Sequence, residues 1–271
     1  MKASKVALVT GASSGMGKDF ARRLKSEGYL VYGAARRVEK MDDLKKDGII
    51  PVKMDITDAG DIDAVADRII TEQGRLDVLV NNAGFGLYGS IEEIGMADAR
   101  YQFEVNFFGL VALTKKFLPL MREQKSGAIF NISSMGGSLY TPLGSYYHAT
   151  IYVLEGWSDC LRLEMEPFGL KIVIIKPGMI ATEFEGLMVA SLEKYSGHGP
   201  YANMVEGYKK TLGPGVAALP PRVISDLIIK ALHSARPKTR YVAGKFAKPM
   251  LFIHKWLGYR IYDKVAMRLA K

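Results

Sequence analysis

The run Thr10-Gly11-Ala12-Ser13-Ser14-Gly15-Met16-Gly17 has the residue types and spacing to hold a phosphate. Glycine permits sharp turns through dihedrals that a Cβ would penalise. It also lets a pyrophosphate approach main-chain N–H groups. The apolar run Lys5-Val6-Ala7-Leu8-Val9 before it reads as a buried parallel strand. The pattern after it is helical, with Phe20 and Leu24 one turn apart to pack back onto a sheet. A helix starting there would aim unsatisfied donors and a positive dipole end at the phosphate. Strand, glycine turn and helix together read as a dinucleotide cradle. The plainer alternative is a Gly/Ser turn between two elements.

A second chemical position follows. Tyr29 to Ala35 reads as a buried strand ending at Arg36-Arg37. In a dinucleotide fold the end of this strand meets the adenosine ribose, where an acid suits a 2′-hydroxyl and an arginine a 2′-phosphate. Ala35 stands where the acid would be and Arg36 follows, so the expectation is NADP(H) in preference to NAD(H). The alternative is a solvated arginine pair opening a loop.

These residues need a scaffold, and the remaining chain supplies one. Strands are expected over Ile49–Met54, Leu76–Val80, Gly127–Ile132, Leu170–Lys176 and at Tyr241-Val242. Helices are expected over Asp58–Gln73, Met96–Arg122, from Tyr147 to about Pro167, and over Arg222–Ala235. Asn106 falls in the middle of the long helix, where its side chain competes for backbone groups. Its neighbours Phe103, Val105, Phe107 and Phe108 make a purely exposed position less attractive. Strand ends at Asp55-Ile56, Asn81-Asn82-Ala83-Gly84 and Ser133-Ser134-Met135 lie where open α/β sheets place their ligands.

The spacing Gly-x-x-x-Gly-x-Gly resembles that of the short-chain dehydrogenases/reductases, and five further segments in order carry the same resemblance. Asn81-Asn82-Ala83-Gly84 is complete, Asn106-Phe107-Phe108-Gly109 matches the helical Asn-x-x-Gly segment, and Ser134 stands thirteen residues before Tyr147. Asp55 and Ile56 would contact the adenine, and Pro177-Gly178-Met179-Ile180-Ala181-Thr182 would close on the nicotinamide. The resemblance implies one α/β domain with a Rossmann-type doubly wound parallel sheet over residues 1–248. It implies hydride transfer between NADP(H) and a carbonyl or secondary alcohol. Tyr147 would exchange the proton, Ser134 would orient the substrate oxygen, and Asn106 would support a relay water. Gly11, Ser13, Ser14, Gly15, Met16, Arg36, Asn82, Ala83, Gly84, Tyr147, Pro177, Gly178, Ile180 and Thr182 would hold the cofactor. Ser14 occupies a position where many NADP-dependent relatives carry a basic residue. No metal is expected.

One departure stands out. The motif Tyr-x-x-x-Lys should end in lysine, and the residue is Ile151. Positions four apart on a helix lie one above the other. A lysine at 151 would favour the Tyr147 phenolate by charge and hold the nicotinamide ribose; isoleucine does neither. The free phenol has a reference pKa of about 10, far from a working base at neutral pH. Shifting to Ser133 and Tyr146 puts Thr150 at the lysine position and does not recover the motif. His148 and Lys176 are the nearest substitutes. An engineered Lys→Ile change, a natural protein that binds cofactor with little turnover, and replacement by another group are all open.

The resemblance makes residues 183–221 a mobile lid over the substrate. Ser134, Met135, Tyr140, Tyr147, Phe184, Leu187 and Met188, with Met204, suggest an apolar pocket for a lipophilic substrate. A homodimer or homotetramer follows from the resemblance alone.

Bulk properties agree with one sizeable core: 271 residues, 48% hydrophobic. A single Cys gives no disulfide framework and fits a reducing compartment. A first strand at about Lys5 leaves no room for a signal peptide, and a cytoplasmic location is expected. From Arg236 onward ten basic residues face one acid, Asp263, so this tail holds the entire net charge of +9. That distribution argues against a nucleic-acid surface across the domain. Residues 249–271 read as one amphipathic helix, with Ile253, Leu257, Ile261, Val265 and Leu269 in a stripe beside Arg260, Lys264 and Arg268. Such a helix either covers the pocket or a subunit contact, or makes peripheral contact with an anionic bilayer.

Overall fold

The computed structural model describes residues 4–212, 218–268 and 270–271. Seven short aliphatic runs form the sheet: β1 (Val6–Thr10), β2 (Leu30–Ala35), β3 (Ile50–Lys53), β4 (Val78–Asn81), β5 (Gly127–Ile132), β6 (Leu170–Pro177) and β7 (Arg240–Ala243). All pairings are parallel, in the order β3-β2-β1-β4-β5-β6-β7. Parallel strands carry helices on both faces, which is why β1, β4 and most of β6 are buried at every residue.

On one face α1 (Gly15–Ser26) and α9 (Arg222–His233) set Phe20, Leu24, Ile224 and Ile228 against Val9, Val80 and Phe130. On the other, α3 (Ala59–Gln73), α5 (Gly109–Gln124) and α6 (Ser145–Met165) set Val65, Ile69, Leu113, Phe117 and Leu161 against Leu8, Leu79 and Ile129. α2 (Asp42–Lys46) closes the β2–β3 connection. The strand order reverses between β1 and β4, which opens a crevice at their carboxyl ends. Thr10 ties that point together: its Oγ1 accepts from the Asn82 and Ala83 backbone N–H groups at 2.9 Å each.

The long helix around Asn106 is broken. α4 (Met96–Phe103) passes into a π turn at Glu104–Phe108 before α5 begins. Over the strand ends lie α7 (Phe184–Ser196) and α8 (Ala202–Leu212); residues 213–217 of the expected lid lie outside the described residues. The tail is two helices, α10 (Ala247–Leu257) and α11 (Tyr259–Arg268), where the sequence pattern suggested one. Gly258 breaks it, with φ 79° and ψ 167°, an extended left-handed conformation that ends a helix. Its buried face is also not the expected stripe: Tyr262 and Ala266 face inward while Leu257 and Ile261 are exposed. Leu269 lies outside the described residues. Among the described residues no helix is long and apolar enough to cross a membrane.

Candidate active site

The glycine turn has the geometry its sequence implies. Gly11 and Gly15 have φ of 66° and 51°. A Cβ on Gly17 would lie 2.2 Å from the Gly11 carbonyl oxygen, so only glycine lets the turn close. At the start of α1 the Ser14 side chain makes no capping bond, and the first turn carries no acid. The first-turn donors therefore face the cleft without a side-chain partner, as an anion site requires. Gly11, Ser13, Ser14, Gly15 and Met16 line a cleft with Arg36, Asp55, Ile56, Asn82, Ala83, Gly84 and Thr182. These residues fit a dinucleotide.

Arg36 sits at the end of β2, as expected, and its guanidinium donates to the Tyr101 hydroxyl at 2.9 Å. Arg37 lines the same cleft and pairs there with Glu183, 3.6 Å off. Asp55 has two tasks: it lines the cleft, and its Oδ1 accepts from the Thr57 N–H and hydroxyl at 3.0 and 2.9 Å.

Beside the cleft is a cavity of about 390 Å³ with mostly hydrocarbon walls. Met16, Asn82, Ala83, Gly84, Phe85, Thr182 and Phe184 border both spaces. Pro177, Gly178 and Ile180 fall on the cavity side, next to Ser134 and Tyr147. Ser134 ends the loop after β5, and its Oγ accepts from the Gly136 N–H at 3.1 Å. The Ser134 hydroxyl lies near enough to the Tyr147 phenol to favour its ionised form. Tyr147 is 8% exposed, with its ring 5.4 Å from Tyr88 and 5.5 Å from Phe184. Burial raises its pKa, and the nearby Ser134 hydroxyl offsets part of that rise.

Ile151 lies one turn beyond Tyr147, buried in the same apolar cluster as Leu143, Met188 and Leu192. A Cβ on Gly137 would lie 2.8 Å from its Cγ2, so the space is filled by hydrocarbon. Among the described residues that line the cavity there is no lysine or arginine. Neither nearby substitute supplies the missing charge. Lys176, 3% exposed, donates to Glu155 at 2.7 Å and to the Ser138 hydroxyl at 2.6 Å. It belongs to a buried network in which Arg240 also reaches Glu155 and Asp159. This network fastens α6 to β6 and β7. His148 does line the cavity, but Nδ1 meets the Gly136 carbonyl at 3.1 Å and Nε2 the Thr141 N–H at 3.2 Å. Burial lowers its pKa, so the ring is held neutral.

Asn106 uses its side chain as a clamp. Oδ1 accepts from the Phe85 N–H at 3.0 Å, and Nδ2 donates to the Phe85 carbonyl at 2.9 Å and the Thr150 hydroxyl at 3.1 Å. It thereby holds the loop after β4 against α6, one turn from Tyr147. π turns of this kind recur at functional sites.

Of the expected substrate contacts, Ser134, Met135, Tyr147, Phe184 and Met188 line the cavity. Tyr140 does not: its hydroxyl donates to Asp263 at 2.6 Å, and its ring packs on Tyr262 and His254. Leu187 is exposed and borders the dinucleotide cleft instead, because it is one helical step away from Met188. Met204 packs behind the wall rather than in it. Sequence reasoning missed Tyr88, Leu139, Tyr208, Phe246 and Tyr262, which the loops and the tail bring to the cavity from distant positions. The aromatic density of the tail was the available signal. Glu185 also borders the cavity, with one carboxylate oxygen buried without a partner among the described residues; burial raises its pKa.

A doubly wound sheet with a glycine cradle and a Ser–Tyr pair at its strand ends defines a nucleotide-linked oxidoreductase of the Rossmann type. Comparison narrows the class. Residues 5–191 match the family model for short chain dehydrogenases, and the chain belongs to that family. An uncharacterized oxidoreductase from Escherichia coli, YbbO, is 33% identical over 265 residues, 96% of this chain and 93% of that protein. The 3-ketodihydrosphingosine reductase of Bacteroides thetaiotaomicron is 40% identical over 179 residues, 66% of this chain and 65% of that protein. A solved short-chain dehydrogenase from Streptomyces avermitilis is 36% identical with a TM-score of 0.83, covering 94% of this chain and 93% of its own. A closed form of serine dehydrogenase complexed with NADP+ is 26% identical with a TM-score of 0.77, covering 90% and 96%.

Proposed function

We propose that this chain binds NADP(H) and is built to interconvert a lipophilic carbonyl and its secondary alcohol, with turnover impaired by Ile151. One observation carries the reading: Ser134 and Tyr147 stand together where the glycine-turn cleft opens into an apolar cavity. When bound, the cofactor supplies the hydride. Gly11 to Met16 take the pyrophosphate, Arg36 the 2′-phosphate, Asp55 and Ile56 the adenine. Asn82, Ala83 and Gly84 form the wall behind the ribose; Pro177, Gly178, Ile180 and Thr182 take the carboxamide. The NADP+ complex of the serine dehydrogenase supports this choice.

Ser134 holds the substrate oxygen and Tyr147 exchanges its proton. In reduction the neutral phenol is the acid and is present at neutral pH. The phenolate left behind then has no cation beside it, in a wall that disfavours charge. Asn106 positions the Phe85 loop against α6 and supports a relay water. Hydrocarbon walls suit a lipophilic substrate, and the 3-ketodihydrosphingosine reductase relative supports a long-chain carbonyl. Helices α7 and α8 form the lid within residues 183–221, and of the two alternatives for residues 249–271, part of the same domain or peripheral to it, the cavity-lining Met250 and Tyr262 support the first.

A homodimer or homotetramer is supported by the exposed Phe108, Tyr152, Val153 and Leu163 on the helices flanking the site. The free Cys160 supports a reducing, cytoplasmic location. The absence of a lysine or arginine among the described residues that line the cavity favours one second reading, a catalytically silent NADP(H)-binding protein.

Titration with NADPH and NADH, then NADPH oxidation with lipophilic ketones, tests both for this chain and for Ile151→Lys. The expected result is NADPH binding about tenfold or more tighter than NADH. Turnover should rise about 10²–10⁴-fold in the lysine form. Turnover at background in both would hand the chain to the silent reading. Binding of neither nucleotide would overturn the cradle.

A further inference from the structure

The two C-terminal helices present opposite chemistry on their two sides. Inward, Tyr262 and Ala266 of α11 are buried against Leu139, with Met250, Leu251 and Ile253 of α10 beside them. The Tyr262 hydroxyl donates to the Tyr140 carbonyl at 2.7 Å, and the Tyr140 hydroxyl donates to Asp263 at 2.6 Å. The pair is therefore anchored to the domain. Met250 and Tyr262 wall the cavity, and Phe246, just before α10, lines it while remaining 45% exposed. The cavity thus reaches the surface at the root of the helical pair.

Outward, Phe252, Trp256 and Tyr259 are 58%, 67% and 69% exposed, flanked by exposed Leu257 and Ile261. Five large apolar side chains exposed within ten residues of a folded domain mark an interaction surface. Lys255, Arg260, Lys264 and Arg268 on the same two helices are all exposed, as are Lys248 and Lys271. The one acid of the segment, Asp263, is engaged by Tyr140. A second copy of the same face would bring these cations against themselves. Polyanionic surface with hydrocarbon beneath it meets both demands. Trp and Tyr favour that boundary because one end of each is apolar and the other wet. Helices of eleven and ten residues reach about 16 and 15 Å. They are too short for the ~30 Å core of a bilayer and suit the plane of its surface.

We propose that residues 252–261 and their flanking cations dock this chain on an anionic phospholipid bilayer, with the cavity mouth at Phe246 beside the lipid. The proposal goes beyond the reductase reading, and its test needs no turnover, so either can fail alone.

The experiment is flotation of the full chain with phosphatidylcholine vesicles, with and without phosphatidylserine, at low and high salt. The chain should float with phosphatidylserine at low salt, be released by salt, and stay behind with phosphatidylcholine alone. Two variants, W256S/Y259S and K255E/R260E/K264E, should each lose about tenfold or more in vesicle partitioning. Both change only exposed side chains and should keep the parent's Tm and NADPH affinity. Failure of the full chain to float on phosphatidylserine vesicles at low salt overturns the proposal. So does undiminished flotation of both variants. A dimer that W256S/Y259S dissociates, with no recruitment to vesicles, makes the face a subunit contact and equally overturns it.

Discussion

An ammonium at position 151 would stand one turn from the Tyr147 phenol; Ile151 puts a β-branched hydrocarbon there. Burial then dominates at the phenol, and its pKa lies above the ordinary 10 despite the opposing effect of Ser134. The sign for catalysis follows. Alcohol oxidation needs the phenolate, so its rate should climb with pH and reach no plateau before the raised value. Carbonyl reduction needs the neutral phenol and should stay flat across neutral pH. We expect Ile151→Lys to move the oxidation limb to lower pH in a kcat/KM profile; an unmoved limb would remove charge from the explanation. Arg36 allows a second check. Arg36→Ser should cost roughly 10–100-fold in NADPH affinity, the worth of a charged hydrogen bond, and leave NADH nearly unchanged. Equal losses for both nucleotides would remove the 2′-phosphate role. Ser134, Tyr147 and Asn106 were singled out by the resemblance of their segments to the family's motifs, and the structure brings all three to one cavity. The place of Tyr140 was not legible. It lies in an irregular segment where Leu139 turns into the cavity and Tyr140 turns out to α11, a choice no periodicity decides.

Packing at the junctions between elements is tight enough to be tested by single methyl groups. A Cβ on Gly109, where α5 leaves the π turn, would lie 2.0 Å from the Ile56 carbonyl oxygen. Gly109→Ala should cost about 2 kcal/mol or more in a denaturant titration, because backbone on both sides must move. The Lys176–Glu155 pair joins β6 to α6. Lys176→Met should cost about 3 kcal/mol, since Glu155 keeps Ser133 and Arg240 but loses its closest cation. Adding Glu155→Leu should return part of that loss. If the single and double variants are equally destabilised, the pair is not what fastens the helix. The strands and the cradle helix were readable to within one or two residues, since aliphatic runs and periodicity mark them directly. The tail was misread because a four-residue stripe runs through Gly258 without registering it. Lys176 read as a strand lysine of unknown direction, because sequence does not say which face of a buried strand meets which helix.

The whole molecule sets the glycine-turn cleft and the apolar cavity side by side, open to each other along a shared wall. Ligand that binds only the folded state stabilises it by about 2.7 kcal/mol at a hundredfold excess over Kd. For a chain of this length that is a rise in Tm of roughly 5–10 °C. NADPH should produce that rise at lower concentration than NADH, and the Ile151→Lys form should show it as well. No rise with either nucleotide would mean that the cleft at the β1–β4 reversal is not a nucleotide site. The wall itself has a further consequence. Met16, Asn82 to Phe85, Thr182 and Phe184 touch both spaces, so whatever orders them for one ligand prepares them for the other. Occupancy on the two sides is then thermodynamically linked. By reciprocity, the factor by which NADPH tightens a lipophilic ketone must equal the factor by which the ketone tightens NADPH. The slow turnover proposed for Ile151 would let both factors be measured before much product forms.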